Sequence, residues 1–442
     1  MNHSDSERIA GFLENNNYTL TSDVNEADLV IFNTCGVRQM AEDRVYGQVH
    51  NLKKQATKDK RQINIVLTGC LANRKDVQRR LKNKVDLFFP INEFRLFENF
   101  IIENCLKIEN LKFKISTHDN HTLGKEYIAY LSLQPKYINK FQANVPIMTG
   151  CDNFCTYCVV PYARGREVSR PTTEIISEVR ELIKNGCKEI TLLGQNVNSY
   201  NSRIDSNSKR ITANINFSQL LKKINAIPGK FWIRFVSNHP KDVTLEMIET
   251  VTKCKKVCES FHLPVQAGND EILRRMNRRY TSAEYLASVK KIQAAYKKNK
   301  PGTPFAITSD IIIGFPGETK KQFLGSAEIM QKAGYDMVFF GQFSPRPGTV
   351  AWKMKDNVSK PEKERREQFL NEILKKSALE NSQKFLNTTI EVLVENNKNG
   401  FYFGKTRTLK NVKIISNKKD LVGKFVKVKI TQATIWNLEG KL

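Results

Sequence analysis

Between residues 140 and 375 short apolar runs alternate with amphipathic segments six times, and that alternation constrains the fold more than any other feature. The runs lie near 145–148, 190–193, 232–236, 261–265, 306–313 and 337–343. One intervening segment shows the logic. Ile175, Ile176, Val179, Leu182 and Ile183 follow a 3.6-residue period, and Asn185-Gly186 supplies a stop. Repeated strand–helix units of this kind predict a parallel barrel or partial barrel, with its chemistry at the C-terminal edge of the strands.

Two further blocks flank it. In residues 1–125 the runs 27–33 (ADLVIFN) and 63–68 (INIVLT) read as buried parallel strands with helical stretches between them. Each leads into a cysteine, Cys35 in NTCG and Cys70 in TGCL. Ligands bind at that edge of parallel sheets. After the barrel a charged helix is expected over 361–386, with Leu370, Ile373, Leu374 and Phe385 on one stripe. Short strands follow at 390–394, 402–404, 412–415, 421–430 and 433–438. Residues 384–442 hold twelve Lys and Arg against four Asp and Glu. A small basic β-barrel is the natural reading of 380–442, and such barrels commonly bind oligonucleotides.

The whole chain carries 71 Lys and Arg against 45 Asp and Glu, a net charge of +26. That balance suits a polyanion such as nucleic acid; a Lys-, Asn- and Ile-rich proteome would produce it too. No apolar run reaches the roughly 18 residues needed to span a bilayer. Residues 1–14 are polar and lack the apolar stretch of a signal peptide. A cytoplasmic protein with no membrane contact is expected, so its nine cysteines read as reduced ligands, nucleophiles or core residues.

Three of those cysteines stand apart. Cys151, Cys155 and Cys158 follow the first barrel strand at spacings of +4 and +3. Three thiolates in this arrangement can hold three irons of a cubane cluster and leave the fourth open. An open iron can chelate S-adenosylmethionine (SAM) and pass an electron to its sulfonium. The alternative is structural zinc, which wants four protein ligands, and no fourth Cys or His lies nearby. Cys105 and Cys187 read as helix or core positions. Cys254 and Cys258, four apart, are placed on one helical face. His239 and His262 fall near strand ends at the barrel mouth, where contact with a ligand and simple packing are both open. Gly404-Lys405-Thr406 is no phosphate loop, because Asn399 stands where its upstream glycine would be.

The run TGCDNFCTYCVVPYARGREVSRP (149–171) resembles the signature of the radical-SAM methylthiotransferase family, and the resemblance extends over nearly the whole chain. Asn33-Thr34-Cys35 and Thr68-Gly69-Cys70 match that family's N-terminal domain. LLGQNVNSY (192–200), HLPVQ (262–266), DIIIGFPGET (310–319) and SPRPGT (344–349) match its barrel, and the basic tail is similar to its RNA-binding TRAM domain. The resemblance implies an α/β architecture: an N-terminal methylthiotransferase domain, a partial (β/α)6 radical-SAM barrel and a small TRAM β-barrel. It implies two [4Fe-4S] clusters with SAM. Cys151, Cys155 and Cys158 would ligate the SAM cluster, while Cys35 and Cys70 would ligate an auxiliary cluster concerned with sulfur delivery. Tyr157, Gln195, Asn196, Asp310, Gly314 and Glu318 would contact SAM.

The N-terminus departs from the pattern. The family motif reads Gly-Cys-Gln-Met-Asn and then Asp-Ser-Glu, whereas this chain starts at Met1-Asn2 and reaches Asp5-Ser6-Glu7. The first auxiliary cysteine would lie two positions before Met1, together with the first strand of the sheet. The reading is a start at an internal methionine; a variant with two auxiliary ligands is the alternative.

Three substrates occur in the family: isopentenylated adenosine in tRNA, threonylcarbamoylated adenosine in tRNA, and a ribosomal-protein aspartate. The run Gly36-Val37-Arg38-Gln39-Met40-Ala41-Glu42 and the ending Trp436-Asn437-Leu438-Glu439-Gly440 resemble the isopentenyladenosine branch. The expected partners are an anticodon stem-loop carrying isopentenyladenosine, an electron donor and a sulfur donor, acting on a monomer. The rival reading outside enzymes is a scaffold that binds RNA without catalysis.

Overall fold

The computed structural model describes residues 1–36, 39–105, 130–203 and 214–442. The chain forms two compact units whose segments interleave in sequence. The first gathers Met1–Ile138, Met148–Arg170 and Ser344–Lys353; the second gathers Asn139–Ile147, Pro171–Phe343 and Met354–Leu442.

The first unit is built on a parallel sheet in the order Leu29–Thr34, Asn64–Gly69, Leu87–Phe88. Its centre is the apolar run Ile65, Val66 and Leu67, wholly buried, as a strand covered on both faces must be. One face packs on a phenylalanine cluster in which Phe89 and Phe97 stack at 4.9 Å. Thr34 pairs with Gly69 in register, so the two strands stop level and Cys35 and Cys70 leave the sheet at the same edge. Residues 2–15, polar in sequence, form a helix that buries Ser4, Asp5, Glu7 and Arg8 as well as Ile9. The apolar period is weak there because the buried face is itself polar.

The second unit contains the strands Gln142–Pro146, Glu189–Leu193, Trp232–Phe235, Ser260–His262, Ala306–Ile313 and Met337–Gln342. They form two parallel three-stranded sheets. A single parallel bridge, Ile233 to Val257, joins the sheets, so the strands run in sequence order as an open six-stranded barrel. Capped helices cover its outside. Thr281 and Thr319 each accept the N3 amide, while Glu284 and Gln322 reach back to the cap nitrogen.

A long helix, Lys360–Gln383, leads to a closed barrel in the order Thr389–Lys398, Phe401–Thr406, Asn411–Ile415, Asn437–Lys441, Phe425–Ala433. This domain is fastened to the barrel strands by aromatic and ionic contacts. Phe425 packs on Trp232 at 4.7 Å. Arg234 Nε donates to Glu189 Oε2 at 2.7 Å, and its other nitrogens donate to the carbonyls of Thr406 and Arg407. The Arg407 side chain returns to Glu259 at 2.5 Å, and Lys410 pairs with Asp336 at 3.3 Å.

Four expectations change, and the first is that the strand expected over 433–438 runs from Asn437 to Lys441. Cys254 and Cys258 do not share a helical face. The helix Leu245–Lys253 ends before Cys254, which is extended, and Cys258 is core beneath Trp232 and Leu393. The strand expected over 421–430 begins at Phe425, because Gly423 turns the chain. The helix expected over 361–386 closes at Gln383. Among the described residues no helix is long and apolar enough to cross a membrane. Val37, Arg38, the Cys105 side chain and the block limit at 125 lie outside the described residues.

Candidate metal centre and barrel mouth

Six of the nine cysteines fall in the first unit, and five of them stand in the matched motifs. The loop after the short strand Met148–Thr149 carries Cys151, Cys155 and Cys158, and a helix, Val160–Arg164, closes it. Cys151 and Cys155 are each 8% exposed, and Cys158 is half-buried. The loop is held by its own backbone: Cys158 N–H donates to Cys155 O at 2.9 Å and Cys151 N–H to Gly165 O at 3.2 Å. Gly150 permits this course, since its φ is +75° and a Cβ there would sit 1.9 Å from Arg166 O. Gly69 does the same for the other group, with φ +83° and a would-be Cβ 2.3 Å from Thr34 O. Cys70 then packs on Val159 and Ala163, so the helix after the triplet touches the second cysteine site.

The donor set fits an iron–sulfur cluster. Burial raises the thiols of Cys151 and Cys70 and pushes Cys158 up to about 12, so thiolates here would need neighbouring positive charge, which a cluster's irons would supply. Asn153 Nδ2 lies 3.5 Å from Cys151 Sγ. Among the described residues no three His, Cys, Asp or Glu side chains converge tightly enough to grip one metal ion.

Sequence reasoning missed the charges beside these thiols. Arg164, 3% exposed, pairs with Asp5, 0% exposed, and donates to Asn2 Oδ1 at 3.1 Å. It is the largest charge acting to lower Cys70. Arg346, from the SPRPGT segment, is 8% exposed and within charge reach of Glu42, Arg74 and Cys35. Nothing in the sequence marks Arg164 as buried, because a cation beside a short helix usually faces water.

In the second unit the barrel mouth collects polar groups. Asn196 and Asn238 donate their amides to Asp242 Oδ2 and His262 O, at 2.7 and 2.8 Å. Their side-chain oxygens have no partner, nor do Gln195 Oε1 and His239 Nε2. His239 Nδ1 accepts from Lys241 N–H at 3.3 Å, so the neutral ring carries its proton on Nε2. Burial, with Arg278 and Lys241 nearby, pushes its pKa down to about 2 and keeps it neutral. Four buried polar atoms without partners at one strand edge call for a polar ligand. Gly314 N–H donates to Glu318 Oε2 at 3.0 Å, and the same oxygen accepts from Arg366 at 2.9 Å. Glu318 therefore fastens its own loop to the helix Lys360–Gln383. Tyr157 is half-buried in the turn before Cys158.

Residues 1–90 match the Uncharacterized protein family UPF0004, 145–330 the Radical SAM superfamily and 383–442 the TRAM domain. A tRNA-2-methylthio-N(6)-dimethylallyladenosine synthase of Clostridium botulinum is 40% identical over 447 residues, covering 100% of this chain and 94% of its own. This chain belongs to the radical-SAM methylthiotransferase family. A Thermoanaerobacter pseudethanolicus methylthiotransferase with the same name is 39% identical and matched over 90% of its length. Among solved structures, the radical SAM methyltransferase TsrM from Kitasatospora setae covers 73% of this chain at TM-score 0.48 and 12% identity. As a radical-SAM methylthiotransferase, the chain uses a SAM-binding [4Fe-4S] cluster and SAM.

Proposed function

We propose that this protein converts N6-isopentenyladenosine beside the tRNA anticodon to its 2-methylthio derivative. The observation that carries the reading is the buried triplet Cys151, Cys155 and Cys158, within a chain aligned end to end with relatives named for that product. When bound, the cluster on these thiolates supplies the electron that cleaves SAM to a 5′-deoxyadenosyl radical, which takes the hydrogen from adenine C2. Tyr157, half-buried in the turn before Cys158, is placed among the residues that contact SAM. Gln195 and Asn196 carry unpartnered acceptor oxygens suited to an ammonium group, and Glu318 fixes its own loop through Gly314 N–H, which makes these residues of the second unit the candidates for contact with SAM.

Cys35 and Cys70 hold an auxiliary cluster that delivers the sulfur. Arg164 lies where it offsets negative charge at that site, and the contact of Cys70 with Val159 and Ala163 ties the two cysteine groups into one unit. Residues 1–125, 140–375 and 380–442 act as sulfur-delivery, radical and RNA-binding domains of a cytoplasmic monomer served by separate electron and sulfur donors. The C-terminal barrel exposes Lys427 and Lys429 on alternate positions of one strand, suited to phosphate. The test is mass spectrometry of nucleosides from isopentenylated tRNA treated with reconstituted protein, SAM, reductant and sulfide. A 2-methylthio product supports the reading. SAM cleavage with no sulfur in the nucleoside refutes it.

A further inference from the structure

Within the second unit the strands Ser260–His262, Ala306–Ile313 and Met337–Gln342 present two faces of different character. On one, Ile307, Ser309, Ile311 and Val338 are buried, and Gln342 donates to Glu367 of the long helix at 2.8 Å. On the other, the register sets His262 opposite Thr308 and sets Asp310 opposite Phe339. His262 Nδ1 lies 2.9 Å from Thr308 Oγ1 and its Nε2 lies 3.5 Å from Asp310 Oδ2. Its ring meets Phe339 edge-on at 6.2 Å. Phe339 is nevertheless 55% exposed, and the Asp310 side chain is 37% exposed. The next residue on that face, Gly341, has no side chain, and a Cβ added there would meet nothing within 4 Å. A large aromatic ring on the inward face of a barrel strand, beside a glycine and a carboxylate 3.5 Å from a histidine ring, satisfies no packing need of this unit.

We propose that Phe339, with His262 and Asp310, forms a platform on which the target adenine of the RNA stacks after leaving its own stack. Phe339 supplies the ring face. Asp310, 3.5 Å from the His262 ring, accepts from the one hydrogen that N6 retains after isopentenylation. Guanine presents an oxygen at that position, which the carboxylate repels, so the pair reads adenine against guanine. Contact at N6 leaves C2, on the far side of N1, uncovered for the radical and the incoming sulfur. Stacking on an aromatic side chain is the general means by which proteins hold an unpaired base. This inference rests on the proposed function. The other adenine the protein meets belongs to SAM, and the family resemblance sets Asp310 near it, so the test separates the two occupants.

The reconstituted protein is titrated, without reductant, into labelled anticodon stem-loops carrying isopentenyladenosine, an abasic residue or guanosine at the target, and binding is read by anisotropy. SAM affinity of each variant is measured by calorimetry. The wild type should bind the isopentenyladenosine RNA roughly tenfold tighter than the abasic RNA. Phe339→Ala should lose that preference while binding abasic RNA as before and keeping its affinity for SAM; Phe339→Tyr should restore the preference. A Phe339→Ala protein that still prefers the isopentenyladenosine RNA overturns the platform. So does one that weakens for both RNAs equally, or one that loses SAM affinity instead, which would seat the cofactor's adenine there. A wild type indifferent to all three RNAs refutes the proposed function itself, and the platform with it.

Discussion

Replacing Arg407 with alanine should destabilise the second unit by about 2–4 kcal/mol. The guanidinium holds Glu259 through contacts of 2.5 and 3.0 Å, and donates to the carbonyls of Val257 at 2.6 Å and Lys255 at 3.0 Å. Stripping one partner from a buried ion pair costs about 3–5 kcal/mol when the other charge is left alone. Glu259, 5% exposed as a side chain, would keep Lys300 at 2.5 Å, which lowers that figure. The two carbonyls lose donors worth about 1 kcal/mol each, although water replaces part of that for the outer one. Urea unfolding followed by circular dichroism, with Arg407→Lys alongside, measures the loss. A midpoint change equivalent to less than about 1 kcal/mol with an unaltered slope would show that these contacts behave like surface pairs and do not fasten the C-terminal barrel. The pH dependence gives a second check. Burial pushes Glu259 up, but Arg407 and Lys300 outweigh it and hold the carboxyl below its ordinary value near 4.5. A lowered carboxyl contributes stability above its unfolded pKa and loses it as pH falls through the folded one. The gap between wild type and variant should therefore narrow in acid below pH 4.5.

Replacing Cys151, Cys155 and Cys158 together with alanine should remove about four irons per chain and abolish SAM cleavage; iron analysis and 5′-deoxyadenosine release report it, and survival of both would show the ligands to be elsewhere. Glu318 is raised to about 6 by burial, so the cost of ionising it appears as pH rises from 4.5 through 6 and reaches about 2 kcal/mol. Glu318→Gln should flatten that fall, and parallel urea titrations at pH 4.5 and 7 with equal differences would contradict it. Lys427→Glu with Lys429→Glu should weaken RNA binding at low salt and shallow its salt dependence by at least one unit of slope; an unaltered slope would move the phosphate contacts off this strand.

The barrel strands were legible because each carries a short cluster of apolar residues. Ala306–Ile313 lies where its run predicts, and the other barrel strands begin within three residues of theirs. The position of the cysteine groups just after strands was legible from the apolar runs that precede them. What escaped was long-range polar pairing. Asp5 and Arg164 lie 159 residues apart, and Glu318 and Arg366 lie 48 apart; each looks like a surface charge until the fold removes it from water. Phe339 escaped for the opposite reason. Within the run MVFFGQ it is indistinguishable from core, and only the register against Asp310 shows which face it takes. Cys254 and Cys258 misled because four-residue spacing has meaning only inside a helix, and the helix stops at Lys253.

The interleaving of the two units has a consequence for synthesis. The first unit takes segments from the beginning of the chain, from Met148–Arg170 and from Ser344–Lys353. Ala351 N–H donates to Thr156 O, inside the cysteine loop, at 2.8 Å. On a ribosome the loop emerges long before that donor does, and the thiols of Cys151, Cys155 and Cys158 wait with one wall of their surroundings unmade. A nascent chain halted before residue 344 cannot complete this unit, however well its sheet forms. The segment that finishes the cysteine site can follow only after the last barrel strand, Met337–Gln342, has left the exit tunnel.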